Sequence, residues 1–507
     1  MLTFTKLTTP PGDGEVLIEP AAADWLRFLE KNIEHRSRRK ITLADRPIEE
    51  VQREVRDRLG ASDPSCPILA VGHQPEFIHP GVWAKYVVTQ CMAGRLGGVG
   101  IDFVVDNDTP HSDSLEVPTV DAEGFVETRT IPIFDAPAGT VYEGRASLTE
   151  SAIDALARDI GDRLPFSSSI TDYLEGLKEA KDAADMVEQH LAGRRRVDAP
   201  LSLDLREIRV SRAFNGPFVA DLLLDAERFA VCYNRALMLY RRAEGIRTSN
   251  RPLPDLAEHG SRVETALWIY RPPGRRHRLW VERSGSDIAL FAEAREIGRV
   301  SAAALVDDPE AVLRSLAPWV VRPRALTLTL WARLLACDLF VHGIGGAKYD
   351  RVNDDILRSY YACPPPAYVC VTATLRLPLP RQAAERRDVL AARRRLRDLH
   401  FNPDRYIENL PEAVLRQRVD WIEQSRRLRA ARMPAEQRRE TFLAIRKLHE
   451  EIVNGHPEAH ARLREQWVLL ERKSASNALA DSREYFYALQ PSDRLRMLAD
   501  KLIAACR

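Results

Sequence analysis

Cysteine is scarce in this 507-residue sequence and poorly spaced for chemistry: seven are scattered from Cys66 to Cys506, and no two form a CxxC pair. An odd, dispersed set excludes a disulfide framework and a zinc knuckle, and reads as buried thiols. Long apolar runs are lacking too. The longest apolar-looking stretch, residues 325–341, carries Arg333 and Asp338, so no uninterrupted membrane span is expected. The opening MLTFTKLTTPPGDGEV has neither the basic nor the apolar block of a secretory signal. Excess charge is missing: 74 Lys and Arg face 73 Asp and Glu, which removes any global pull toward nucleic acid or an anionic membrane. The expectation is a cytoplasmic protein that handles small molecules, with neither nucleic acid nor membrane as partner.

What is present is a globular balance, 45% hydrophobic and 29% charged, over a length that calls for several structural units. Residues 1–60 hold two amphipathic helical patterns, 21–39 and 47–59, expected to pack on a later core. Residues 61–378 form that core. ILAVG, a Pro/Gly loop, VWAKYVVTQCMA and IDFVVD read as a β–loop–α–β unit, the mark of a parallel, doubly wound sheet. Insertions are expected at about 148–200 (helical) and about 279–298, where SGSD between apolar stretches predicts a hairpin. Residues 324–335 read as a helix, 338–342 as a buried strand, GIGG as its loop, 349–361 as a helix and 368–377 as a last strand. Over residues 379–473 apolar positions recur at three and four, as in Leu415, Val419, Ile422 and Phe442, Ile445, Leu448, Ile452. Breaks near Pro403, Pro434 and Pro457 predict antiparallel helices in a coiled coil. Residues 474–507 read as a helical tail opened by turn residues.

Three loops carry candidate chemistry. GHQPEFIHPG places His73, Gln74, Glu76 and His79 between a buried strand and a helix, where open α/β sheets bind ligands; helix capping alone would need fewer polar groups. Class I aminoacyl-tRNA synthetases place a histidine-containing loop there. FVVDNDTPHSDSLE runs a strand into Asp106, Asp108 and His111, which could orient an amine, hold Mg²⁺ or act as a base, or simply stabilise an Asx-rich turn. HGIGGAKYD offers His342, Gly343, Gly345, Gly346 and Lys348 for close approach to a phosphate or carboxylate. It lacks the GxxxxGK[ST] spacing of a P-loop. Arg322 and Arg324 read as salt-bridge formers.

At these loops the chain resembles the bacillithiol biosynthesis cysteine-adding enzyme family. Against that family's GQQPGLFGGPLYxxYK, GHQPEFIHPGVWAKY matches in Gly72, Gln74, Pro75, Phe77, Pro80, Lys85 and Tyr86. DNDTPHSD is similar to its EDHD motif with altered spacing, and FVHGIGGAKYD to its YVGGPGE-type loop. His73, Glu76 and His79 depart from the pattern. The resemblance implies a Rossmann-like core with helical insertions, a C-terminal antiparallel coiled coil, often dimeric, and a ligase joining an amino acid, cysteine first, to a small amine or amino sugar. His73, Asp108 and His111 would then be catalytic; Gln74, Glu76, His79, Lys85, Asp106 and the 342–348 loop would bind substrate. ATP is implied by the chemistry, since amide formation in water is uphill; no motif demonstrates it, and no metal is assigned. Two other expectations are a non-catalytic scaffold presenting its coiled coil, and a metal-dependent hydrolase built on the His/Asp cluster.

Overall fold

The computed structural model describes residues 6–111, 113–133, 136–161, 163–248 and 253–507; the first five residues of the N-terminal segment lie outside them. The chain divides into two units. One comprises 1–117, 129–377 and 483–507, the other 118–128 and 378–482.

The first unit is α/β. Its six-stranded sheet contains β1 (Glu15–Glu19), β2 (Ile68–His73), β3 (Val99–Val104), β4 (Arg206–Arg209), β5 (Leu339–His342) and β6 (Tyr368–Thr374), in the spatial order β1-β6-β5-β2-β3-β4. The β2, β3, β4, β5 and β6 strands run parallel, whereas β1 lies antiparallel on β6. The sheet is therefore mixed, which corrects the all-parallel expectation and the reading of residues 1–60 as helices alone. β1 is short and half-buried, and its EVLIE carries too few residues to announce a period. From β2 the chain proceeds outward through β3 and β4 on one side, and β5 and β6 follow on the other. The carboxyl ends of β2 and β5 thus flank a point where the winding reverses, a place where parallel sheets leave a crevice.

β2 is ILAVGH, its first four residues wholly buried as expected of a strand covered on both faces. Helix α1 (Pro80–Arg95) follows, with Pro80 at its first turn, where a missing N–H costs nothing. At the other end of the sheet, buried Asp338 pairs with Arg36 and Arg56 and accepts from the Ile68 amide at 2.9 Å. Asn32 donates to Asp338 O and Ala367 O, both at 2.8 Å. These contacts tie the helices Trp25–Ser37 and Ile48–Arg58 to the sheet's amino-terminal edge.

The hairpin expected at 279–298 belongs to a second, antiparallel sheet. His277–Ser284, Asp287–Ala292 and Arg295–Ser301 form three of its strands, and Arg262–Tyr270 and Val320–Pro323 extend it. Arg262–Tyr270 is buried on both faces, so its sequence carries no strand-like alternation. GIGG is another correction. Ile344, Gly345 and Gly346 open helix α2 (Ile344–Tyr349), and Gly343 is its N-cap. A Cβ on Gly346 would stand 2.7 Å from His342 Nδ1, so that glycine is there to admit the imidazole.

The second unit contains the helices Arg386–Leu399, Glu412–Ala430, Ala435–Gly455 and Pro457–Ala480. The last runs through residue 474, so the tail starts later than expected. Ser476 and Asn477, which resemble turn residues, are held inside the helix: Ser476 Oγ accepts from Val126 N and Asn477 Nδ2 donates to Gln382 O. Among the described residues no helix is long and apolar enough to cross a membrane.

Candidate functional site

The crevice between β2 and β5 is a cavity of about 380 Å³. His73, Gln74, His79, Lys85 and Asp108 line it from one side; His342, Gly343, Gly345 and Gly346 line it from the other. Glu76 and His111 stand in an adjoining recess of about 280 Å³ that shares His73 and His79 with the cavity. Asp106 and Lys348 line neither.

Asp106 is wholly buried and acts as an anchor. Its carboxylate accepts from Arg209 Nε at 2.7 Å, from the Ser211 amide at 2.9 Å and from Ser211 Oγ at 2.5 Å, joining the carboxyl ends of β3 and β4. Asp108 faces the cavity with its charge already engaged. Gln74 Nε2 donates to Oδ2 at 2.8 Å, Arg276 Nη1 lies 2.5 Å from Oδ1, and the Thr109 amide donates to Oδ1 at 2.8 Å. In the recess Glu76 Oε2 accepts from Tyr142 OH at 3.2 Å and lies 3.1 Å from Nδ1 of the mostly exposed His111.

Three imidazoles and a lysine on the cavity wall, His73, His79, His342 and Lys85, are shifted toward neutrality. Burial, reinforced by Lys85, holds the His73 imidazole well below its ordinary value; its Nδ1 is 3.2 Å from Gln74 O. His79 caps α1 by accepting from the Gly81 amide at 3.0 Å, and burial, then Arg483 and Lys85, pull it down to about 3. Lys85, 5% exposed, donates to Gly72 O at 3.2 Å and is lowered to about 8 by burial, with Asp102 opposing. Asp102 behind it is itself raised to about 7 by burial, despite Arg194 Nη1 at 3.3 Å. Burial lowers His342, whose Nε2 lies 3.2 Å from Asp350 Oδ2.

Residues that no local pattern announces complete the wall. Arg483 and Glu484 arrive from the C-terminal segment, which docks through the Tyr487 amide on Ile78 O at 2.8 Å and the stacking of Tyr487 on Trp83 at 5.7 Å. Arg483 Nη2 donates to Thr372 Oγ1 at 3.2 Å and lies 3.3 Å from His79 Nδ1. Arg322 and Arg324, by contrast, pair with Glu143 at 2.6 Å and Glu264 at 2.7 Å.

Gly81 makes room for Arg483. A Cβ there would fall 2.1 Å from Arg483 Nη2 and 2.7 Å from Ala373 O. The guanidinium can swing away; the strand carbonyl cannot. Gly81→Ala should therefore cost about 1–3 kcal/mol by overpacking, read as a lower urea midpoint, and should push Arg483 out of the wall.

Among the described residues no group of three or more His, Cys, Asp or Glu side chains is placed to hold a metal ion. Compared with protein-family models and with curated proteins, the chain matches none.

Proposed function

We propose that the protein is a ligase-like enzyme that forms an amide between an amino acid, cysteine first, and a small amine or amino-sugar acceptor. The first unit acts as a Rossmann-like core in the cytoplasm, and the helical unit is a coiled coil through which two copies pair. The observation that carries the reading is the meeting of His73, Gln74, His79, Lys85, Asp108 and His342 in one cavity at the carboxyl ends of β2 and β5. A scaffold has no use for neutral imidazoles and a buried lysine around a solvent-reaching hollow.

In this reading His73 accepts the proton of the attacking amine, because its ring stays unprotonated at neutral pH. Asp108, clamped by Gln74 and Arg276, presents a fixed acceptor to the amine without needing to move. His111 serves from the recess with Glu76. ATP would supply the free energy that activates the carboxylate. Pairing through the helical unit is favoured by its exposed apolar residues Val419 (50% exposed), Phe442 (46%) and Leu443 (51%). Sedimentation at several concentrations tests that point, and a monomer at all of them removes it.

The enzymatic reading is tested by thermal shift with ATP, cysteine and amino sugars, followed by product detection with all three. Stabilisation by ATP and cysteine is expected in the parent and in His73→Ala alike, with amide product sharply reduced in the variant. No response to any of them removes the reading.

A further inference from the structure

Lys85 has more donors than partners. Its ammonium carries three N–H bonds and gives one to Gly72 O at 3.2 Å, while the residue is only 5% exposed. Asp102, the carboxylate acting most strongly on it, is already bound through Oδ2 to Arg194 Nη1 and Nη2, both at 3.3 Å. A buried cation left uncompensated destabilises a fold, so a protein that keeps one keeps it for something.

Arg483 repeats the pattern on the same cavity. Thr372 Oγ1 and His79 engage its Nη2, and Nε stands 3.3 Å from Glu484 Oε1; Nη1 is buried with no hydrogen-bond partner. Both cations line the one cavity, and both stand against the same face of α1: Arg483 lies over Gly81, and Lys85 follows one turn later. The acids nearby leave one of the two positive charges over. Asp108 is matched by Arg276 and Glu484 by Arg483 itself, so the charge of Lys85 is left over.

We propose that this part of the cavity is an anion subsite in which Lys85 Nζ and Arg483 Nη1 grip the carboxylate or phosphoryl group of a small substrate. The C-terminal segment thereby becomes part of the binding site. Thr372 and the side-chain space left by Gly81 hold the guanidinium in place for that purpose. The inference rests on the cavity being a ligand site and is independent of whether an amide is made there.

The test uses the full chain and calorimetric titration at constant ionic strength with inorganic phosphate, pyrophosphate and succinate, with chloride as control. The first two report a phosphoryl site and the third a carboxylate site. Binding of at least one is expected, weakened about tenfold or more in Lys85→Met and in Arg483→Gln, as loss of a charged hydrogen bond implies. A second readout separates binding from scaffolding. Without ligand, Lys85→Met should unfold at a higher urea concentration than the parent, since an unpaired buried charge has been replaced by a thioether. Failure of all three anions to bind, or a Lys85→Met variant that is less stable and binds as tightly as the parent, overturns the proposal. Anion binding without any amide product leaves the subsite standing and removes the ligase reading.

Discussion

Replacement of Arg333 by methionine is expected to lower stability by about 3–5 kcal/mol, the range seen when one partner of a buried ion pair is removed. Arg333 is 1% exposed, and its two terminal nitrogens reach Asp350 Oδ2 and Asp354 Oδ1, each at 2.6 Å; Nη2 also donates to Pro366 O. The guanidinium plane lies over the Tyr368 ring at 4.6 Å. Methionine fills the volume and satisfies none of these groups. Asp350, wholly buried, would keep Thr329 Oγ1 at 2.6 Å and Asn353 Nδ2 at 2.7 Å but lose its main counter-charge. The pH dependence gives the sign. Burial favours the protonated carboxyl, yet Arg333 and then His342 outweigh it and hold Asp350 below the ordinary carboxylate range. A depressed folded value stabilises above the unfolded value of about 3.9 and is lost as pH falls through the folded one. In the variant burial wins, the folded value rises above the unfolded one, and the penalty present at pH 7 shrinks as the carboxyl takes up a proton. Urea unfolding should therefore show a large deficit at pH 7 that narrows toward pH 5, at an unchanged slope. An unchanged midpoint at pH 7 would show that Arg333 contributes nothing net.

Much of the site's location was legible because its signals are local. A buried apolar run, a Pro/Gly loop and a proline at the first turn of a helix sit within residues 68–95, and each has one physical reading. The glycines of GIGG were harder. Glycine is disfavoured in helices, so a cluster of it reads as a loop; only the approach of His342 to Gly346 explains why it opens α2 instead. Asp106 and Asp108 have the same chemistry two residues apart. Their fates differ through Arg209 and Arg276, which are distant in sequence and carry no motif. Arg483 was invisible for the same reason. Its place in the wall depends on the docking of Tyr487 against α1, a tertiary contact no periodicity encodes. The expected pattern in the helical unit has a different limit: Leu448, Ile452 and Leu463 are buried as a seam requires, whereas Val419 and Phe442 are exposed, so period alone does not tell an internal contact from an outer face.

His73→Ala should reduce amide formation by about 10²–10⁴-fold if His73 is the proton acceptor, the usual worth of a positioned general base. The loss should fall on kcat more than on KM, because substrate is gripped elsewhere in the cavity. His73 ends β2, and with Nδ1 3.2 Å from Gln74 O the ring is arranged to carry its proton there and leave Nε2 free. Burial comes first, and Lys85, His79 and Arg194 add to it; together they hold the ring well below the ordinary imidazole value, while the contact with Gln74 O opposes them. The acid limb of the pH–rate profile should accordingly lie below pH 6.5, and the rate should stay level from there to neutrality, where an unshifted histidine would already be losing activity. Added imidazole should restore part of the lost rate in His73→Ala, since the side chain leaves space open to the cavity. A merely structural histidine would leave the pH profile of the variant unchanged and would not respond to imidazole. Turnover by His73→Ala at the parental rate, with a profile still falling at the same pH, would move the proton acceptor to another residue, and His111 beside Glu76 would be the next to substitute.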